Sequence, residues 1–265
     1  MQEGDETITQ VPRTTDTLEP YDVVIIGDVP AEYFSDQQIR LLRDHVAARG
    51  AGLLWIGGER ANPGSYEGTP LTDLLPMLEP AEVASVDSEM GPIVLAPTPA
   101  ATELNVLRLS RRGAPPDEDA WPKDLPALQW AQDVGRLKQL AEPLAIAQQG
   151  DGRTLPMVIR LRYGAGQSVY VATDDIWRWR LATGNLYVQQ FWIQLIQMLG
   201  KARIQQSDAR VWLDVSHTRV QVDQSVVVTL HVKDPQLIQR DLPHVDVTVE
   251  RASDEGIGAR RPIET

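Results

Sequence analysis

Cysteine is absent from the 265-residue sequence. Without a thiol the chain forms no disulfide, offers no thiolate nucleophile and holds no zinc ion or iron–sulfur cluster through sulfur. The absence leaves the redox compartment open, because a protein without cysteine is stable in either environment. Several classes of enzyme mechanism are therefore excluded before any motif is considered.

Basic residues and long apolar runs are also scarce. The 25 Lys and Arg are outnumbered by 37 Asp and Glu, and the resulting net charge of −12 repels phosphate backbones, so we expect no nucleic-acid partner. The longest apolar runs, such as 23–26 and 226–228, are strand-sized and far below the ~20 residues of a membrane span. Residues 1–20 are polar and acidic. We therefore expect no signal peptide and no direct membrane insertion by this chain.

The first part of the chain alternates strand and helix signals. Residues 23–28 are short, β-branched and apolar, which is typical of a buried parallel strand. Ser35 and Gln38 form a capping box that begins a helix, and Gly50 is a natural end for it. Residues 52–58 are a second buried strand. This order predicts a right-handed βαβ unit in an α/β fold, with the sheet covered on both faces.

The middle of the chain is predicted to be less regular. Residues 69–140 are rich in proline, and we expect an irregular excursion there with one or two short helices. Glycine turns at 150–152 and 164–166 separate apolar runs, which predicts a β-meander at the far edge of the same sheet. A last helix is predicted to end at Gly200; large apolar residues repeat along it at every fourth position: Tyr187, Phe191, Leu195 and Leu199.

Beyond position 205 the apolar residues alternate with polar ones. The runs at 211–215, 226–233 and 245–250 predict three or four antiparallel strands. An immunoglobulin-like sandwich needs about seven strands, so this module is expected to be partial. We divide the chain into an α/β domain at 1–205 and a partial β-sandwich at 206–265.

The segment at 172–180, Ala-Thr-Asp-Asp-Ile-Trp-Arg-Trp-Arg, is the most distinctive in the chain. Together with the strand at 21–28, the glycine pair at 57–58 and the last helix, it resembles the glutamine amidotransferase-like domain of bacterial membrane-anchored proteins. The resemblance covers roughly residues 15–200. It implies a flavodoxin-like, class I glutaminase-like fold, with a mostly parallel sheet, flanking helices and a membrane-anchored parent protein. That family usually carries one more strand and helix before the strand at Tyr21, so the resemblance also implies a shortened N-terminus.

Glutaminase activity itself is excluded by the residues. The reaction needs a cysteine on a strand-to-helix elbow, with a histidine and an acid behind it. There is no cysteine, and His45 is the only histidine in the α/β part. No serine replaces the nucleophile, because no Gly-x-Ser-x-Gly elbow occurs. We therefore name no catalytic residue, and no motif indicates a cofactor or a metal.

Two groups of polar residues are candidates for binding a ligand. One lies at the ends of the first two strands, where open α/β sheets form their ligand crevices, and comprises Asp28, Gly57, Gly58, Glu59 and Arg60. The other is Asp174, Asp175 and Arg178. Each group has a structural alternative that we favour: a tight glycine turn with solvated charges, and acids neutralised by neighbouring arginines beside tryptophans that cover the sheet.

Three functions stay open at this stage. We favour a non-catalytic interaction or scaffold module of a cell-envelope-associated protein, with partner proteins or other domains of the same parent as ligands. A carboxylate-based hydrolase would use Asp28, Glu59 and either Asp174 or Asp175, and needs them to converge in an open cleft with one unpaired. A carbohydrate-binding module would need Trp121 or Trp130 to be exposed.

Overall fold

The structure is a computed structural model that describes residues 11–110, 121, 125–148, 152–208, 211–215, 228–232, 248–251 and 258–262. Within them lie twelve strands: β1 (Val23–Ile26), β2 (Gly52–Ile56), β3 (Ala84–Asp87), β4 (Val94–Pro97), β5 (Trp130–Asp133), β6 (Ala141–Gln148), β7 (Thr154–Tyr163), β8 (Gly166–Val171), β9 (Val211–Val215), β10 (Val228–Val232), β11 (Thr248–Arg251) and β12 (Gly258–Pro262). The α-helices are α1 (Thr15–Leu18), α2 (Asp36–Arg49), α3 (Pro99–Glu103), α4 (Trp179–Thr183) and α5 (Leu186–Asp208). Single turns of 3₁₀ helix occur at Ala31–Tyr33, Gly64–Tyr66, Pro70–Leu74, Pro80–Glu82, Ser88–Met90 and Asp175–Arg178.

One six-stranded sheet organises the described part, in the order β1-β2-β8-β7-β6-β4. The pairs β1–β2 and β2–β8 are parallel, and the remaining three pairs are antiparallel. The predicted α/β class and the βαβ unit are confirmed. The sheet is mixed, however, because a β-meander of β6, β7 and β8 supplies half of its strands through short hairpins that force antiparallel pairing.

The βαβ unit forms as its sequence signals predict. Ser35 accepts a hydrogen bond from the backbone N–H of Gln38, whose side chain returns a bond to the Ser35 N–H, so both halves of the capping box are present. Gly50 ends α2 in the left-handed conformation, with φ of 73°. Strand β2 is almost wholly buried and β8 is buried at every position, which shows that the centre of the sheet is covered on both faces.

The prediction of an irregular excursion over residues 69–140 is wrong in part. Strand β4 joins the main sheet as its far edge, and β3 and β5 form a two-stranded antiparallel sheet. The meander therefore does not lie at the far edge: β8 pairs with β2 at the centre. Several of the prolines that point to a loop belong to short elements instead: Pro70 and Pro80 begin 3₁₀ turns, Pro97 ends β4 and Pro99 begins α3.

The last helix also differs from its prediction. Helix α5 continues through Gly200 to Asp208. Good helix formers follow the glycine, and one glycine in a helix costs only about 1 kcal/mol relative to alanine, so it does not force an end. The helix packs closely on the sheet, because a Cβ added at Gly52 would overlap Leu199.

The C-terminal strands pair in two antiparallel ladders, β9 with β10 and β11 with β12. This agrees with the period-two pattern there. The predicted strand residues 226–227, 233 and 245–247 lie outside the described residues. The domain division at 205 and the immunoglobulin-like sandwich stay predictions. Among the described residues, no helix is both long and apolar enough to cross a membrane.

Candidate functional site

The candidate site is the edge of the sheet at which the parallel strands β1, β2 and β8 end. Parallel strands place their carboxyl ends together, so the residues after them form one region of the surface. Asp28 follows β1, the run 57–60 follows β2, and Asp174 and Asp175 follow β8. The fold thus brings both predicted groups of residues to the same edge.

Asp28 is committed to the loop after β2. Its carboxylate accepts three backbone N–H bonds, from Arg60 at 3.0 Å, Ala61 at 2.8 Å and Asn62 at 3.0 Å. A Cβ added at Gly58 would overlap the Asp28 carboxyl group, so only glycine fits there. The arrangement is a turn held by an acid, in which the backbone amides that would be needed to bind a phosphate are already used.

Gln132 in β5 closes the same edge, and no sequence motif indicated it. Its side-chain amide donates to the backbone oxygens of Gly58 at 2.9 Å and Asn62 at 2.8 Å. Its Oε1 accepts the hydroxyl of Tyr170 at 2.5 Å. A Cβ added at Gly57 would overlap Gln132. The crevice expected at the strand ends is therefore filled by a buried glutamine.

Tyr170 acts as a donor in this network. The side chain is fully buried on β8, and this burial raises the pKa of its phenol well above the usual value, with the charge of Asp28 adding to the effect. The hydroxyl consequently stays protonated over the physiological pH range and holds Gln132 in place.

Asp175 is buried and paired. Only 2% of its surface is exposed; Oδ1 lies 2.5 Å from Nε of Arg178, and Oδ2 accepts the backbone N–H of Gln129 at 2.7 Å. Its own N–H donates to the hydroxyl of Thr173, which in turn donates to the Trp130 carbonyl oxygen. These bonds attach the 3₁₀ turn after β8 to the start of β5 and leave the Asp175 carboxylate no free face for a substrate.

Asp174 differs from its neighbour. It lies at the surface, and its Oδ1 accepts the indole N–H of Trp130 at 3.0 Å. Partial burial of the carboxyl group raises its pKa, the nearby charges of Asp175 and Glu59 raise it further, and the bond from Trp130 opposes them. Glu59 and Arg60 are both exposed.

The two tryptophans of the 172–180 segment have opposite environments. Trp179 is 1% exposed and makes edge-on contacts with Trp121 and Phe191, so it covers the sheet as expected. Trp177 is 47% exposed, and the guanidinium of Arg178 lies 4.9 Å from its ring centroid. The expectation that both tryptophans cover the sheet is wrong for Trp177, because the one-turn helix directs neighbouring side chains to different sides.

The tryptophans singled out for sugar binding are not open platforms. Trp121 is half-buried and packs against the core, and Trp130 is half-buried with its indole N–H bonded to Asp174. His45 is buried, with Nε2 at 2.8 Å from the Tyr21 carbonyl oxygen. Within the described part of the chain, no cluster of three or more His, Asp or Glu side chains is arranged to hold a metal ion.

Comparison with known proteins gives similarity of fold. No protein-family model matches the sequence, and no curated protein matches it. The cytoplasmic protein STM3548 from Salmonella typhimurium aligns with a TM-score of 0.51 and 18% identity, over 72% of this chain and 76% of that one. The cytoplasmic protein STM1381 from Salmonella typhimurium LT2 aligns with a TM-score of 0.48 and 21% identity, over 71% and 76%. A β-galactosidase from Rahnella sp. R3 aligns with a TM-score of 0.41 and 18% identity, over 75% of this chain but 26% of that chain.

These findings correct the family resemblance. The assignment to the glutamine amidotransferase-like family is wrong: no such family model matches the sequence, and the solved structure that aligns with a TM-score of 0.51 is described as a cytoplasmic protein. The segment at 172–180 that carried the resemblance is explained by local packing and ion pairing. The membrane-anchored parent and the shortened N-terminus were implied by that family alone, and both lose their basis with it.

Proposed function

We propose that this α/β domain is a non-catalytic interaction module. The observation that carries the proposal is that the carboxylates at the strand ends serve the fold: Asp28 holds the loop after β2, and Asp175 is paired with Arg178. Hydrolysis by two carboxylates requires one to protonate a leaving group while the other attacks or activates water. Two acids already bonded to backbone amides and an arginine are poorly suited to either role.

Glu59 and Asp174 are the acids that a hydrolase would still have. Both are exposed, and the charge of Glu59 contributes to the raised pKa of Asp174. They lie at the surface beside the filled crevice, where water screens charge. This geometry favours binding over catalysis.

The experiment is a hydrolysis assay with the full chain. Chromogenic glycosides and esters are incubated with the protein and with the E59Q and D174N variants, which keep the size of each side chain. We expect the unmodified protein to release no chromophore above the buffer rate. A rate that is lost in E59Q or D174N would overturn the non-catalytic proposal and favour the hydrolase.

A carbohydrate-binding role is a second candidate, and the exposed ring of Trp177 favours it. An exposed indole beside charged groups that form hydrogen bonds, here Arg178 and Asp174, is chemistry that suits a sugar ring. Titration with neutral oligosaccharides, followed by tryptophan fluorescence, tests it. Binding lost in W177A but kept in L181A, whose side chain is 76% exposed, would support this role. No fluorescence change with any sugar would count against it.

A flavodoxin-like core stays a proposal. It is supported by the parallel run of β1, β2 and β8, with α2 connecting the first two strands. The antiparallel half of the sheet departs from that arrangement. The partners of the module also stay a proposal, in which other proteins or other domains of a larger chain are the ligands.

A further inference from the structure

A row of exposed side chains runs along the helical segment that follows β8. Asp174, Trp177 and Arg180 are all exposed and follow one another at intervals of three residues. The 3₁₀ turn at Asp175–Arg178 continues directly into α4. Side chains three residues apart eclipse in a 3₁₀ helix and are neighbours in an α-helix. The three residues therefore lie on one side of the segment.

The centre of the row is apolar. Trp177 is 47% exposed, and Leu181, four residues further on, is 76% exposed. The guanidinium of Arg178 covers one face of the Trp177 ring and leaves the other face open. Exposed apolar side chains on neighbouring turns, with a tryptophan and arginines among them, are typical of a surface that contacts another protein. Asp174, Trp177, Arg180 and Leu181 together form what is called the exposed row below.

The two charges of the exposed row have no partner of opposite charge in the described part of the chain. The guanidinium of Arg180 makes no ion pair or side-chain hydrogen bond there. The carboxylate of Asp174 accepts the neutral indole N–H of Trp130, and no Lys or Arg of the described residues pairs with it. Partial burial, together with the charges of Asp175 and Glu59, raises the pKa of this carboxyl group. An acid without a base thus lies near a base without an acid.

These charges are placed symmetrically about Trp177. Asp174 lies three residues before it and Arg180 three residues after it. The helical rise between the two charged positions is about 10 Å, which prevents a direct pair within one copy. In a two-fold symmetric contact, residue i of one copy meets residue j of the other, and the reverse also holds. With the two-fold axis at Trp177, Asp174 of each copy faces Arg180 of the other, so the exposed row is complementary to itself.

We propose that the protein forms a two-fold symmetric dimer in which the exposed rows of two copies pack antiparallel. The two Trp177 rings and the two Leu181 side chains make the apolar centre of the contact. Two ion pairs between Asp174 and Arg180 lie on either side of this centre and fix the register. The inference rests on the proposed interaction role and names a second copy of the chain as the partner.

Other occupants match the exposed row less well. A partner with one charge would pair with Asp174 or with Arg180 and leave the other unmatched, whereas a second copy supplies both charges at the required spacing. A sugar ring would contact Trp177 but would leave Leu181 and the two charges without a match. The net charge of −12 repels two copies, but salt screens this repulsion beyond about 10 Å at 0.1 M. We therefore expect a reversible dimer with a small interface.

The first test measures self-association of the full chain. Sedimentation is followed from about 1 μM to about 0.5 mM protein, the range in which a reversible contact of this kind dissociates. We expect a monomer–dimer equilibrium whose Kd rises at least about tenfold in W177A. L140A is the matched control, because Leu140 is 44% exposed. Since β6 runs in the same direction as β8, Leu140 lies before β6 at the opposite end of the sheet, and its loss should leave the Kd unchanged.

The second test reverses the charges. D174K and R180E each bring two pairs of like charges together in the dimer, so each variant should raise the Kd at least about tenfold. An equimolar mixture of the two variants should associate as strongly as the unmodified protein, because every charge then faces its opposite across the axis. The double variant D174K/R180E keeps the net charge and should also dimerise. R162E changes the net charge as R180E does, at an exposed position near the end of β7, and should have no effect.

Thermal melting verifies that each variant folds, since D174K also loses the bond from Trp130. If D174K does not fold, R180E and R162E decide the question, and an equal Kd for these two variants would overturn the inference.

Three further results would overturn it. The first is a monomer at every concentration. The second is a dimer that W177A and both charge reversals leave unchanged, which would show that the contact lies elsewhere. The third is a mixture of D174K and R180E that associates no better than either variant alone. A monomer would leave the proposed function standing, because that function is decided by the hydrolysis assay.

Discussion

The hydroxyl of Tyr170 on β8 lies 2.5 Å from Oε1 of Gln132 on β5. The same glutamine donates through its nitrogen to Gly58 and Asn62 in the loop after β2. One buried side chain therefore connects the central strand, the small two-stranded sheet and the loop held by Asp28. This connection fills the position at which open α/β sheets bind their ligands, and it makes the strand ends rigid.

Replacement of Gln132 by Met is expected to destabilise the protein by about 3 kcal/mol. The change keeps the volume but leaves the Gly58 oxygen and the Tyr170 hydroxyl without their Gln132 partner in a buried site, at about 1–3 kcal/mol for each group left unsatisfied. The Asn62 oxygen loses one of its two bonds and keeps the one from the Gly58 N–H. Y170F removes one donor and should cost about 1 kcal/mol. Urea denaturation measures both. The control is Q129M at an exposed neighbour, and a Q132M cost no larger than that of Q129M would contradict the network.

Alanine at Gly57 or Gly58 is expected to cost about 1–3 kcal/mol, the usual penalty of overpacking. The added Cβ would overlap Gln132 at the first position and the carboxyl group of Asp28 at the second. Gly27 provides a matched control at the same edge, because nothing lies within 4 Å of a Cβ added there. Thermal unfolding should therefore separate G57A and G58A from G27A. If all three melt alike, the close packing at the strand ends is not real.

The ion pair of Asp175 and Arg178 should show a measurable coupling energy. In a double-mutant cycle with D175N and R178A, we expect about 1–2 kcal/mol, because the carboxylate is 2% exposed and its loss of a partner is not compensated by water. The pair of Arg43 and Asp44, with atoms 2.6 Å apart but with a carboxylate side chain that is 56% exposed, is the control and should give under about 0.5 kcal/mol. Equal couplings in the two cycles would show that burial does not strengthen the first pair.

The parts of the fold that follow local rules were predictable from the sequence. The capping box at Ser35 and the glycine at position 50 fix α2, and the β-branched runs fix β1 and β2. These signals act through neighbours in sequence. The position of each strand in the mixed sheet depends instead on contacts between residues that are distant in sequence. An example is the pairing of Pro97 with Ala145, which brings β4 to the sheet edge.

The candidate site was predictable in its residues but not in their roles. The sequence pattern predicts that Asp28 and the glycine pair lie at one edge of the sheet. It also predicts that Arg178 pairs with a nearby acid. It contains no sign that Gln132, more than 70 positions after Gly58, fills the crevice between them.

The pH dependence of stability should reveal the environment of Asp174. Burial first, and then the charges of Asp175 and Glu59, raise the pKa of its carboxyl group in the folded protein above the usual value. The folded state thus binds a proton more tightly than the unfolded state, which reverses the usual sign for an aspartate. The stabilisation that this group contributes is fully present below its pKa in the unfolded protein and is lost as the pH rises through its pKa in the folded protein.

D174N, whose side-chain oxygen still accepts the Trp130 indole N–H, should therefore be more stable than the unmodified protein at pH 7. The gain should disappear as pH falls towards the unfolded pKa. Urea denaturation of both proteins from acid to neutral pH measures the difference, and a D174N variant that is less stable at pH 7 would show that the carboxylate charge stabilises the fold.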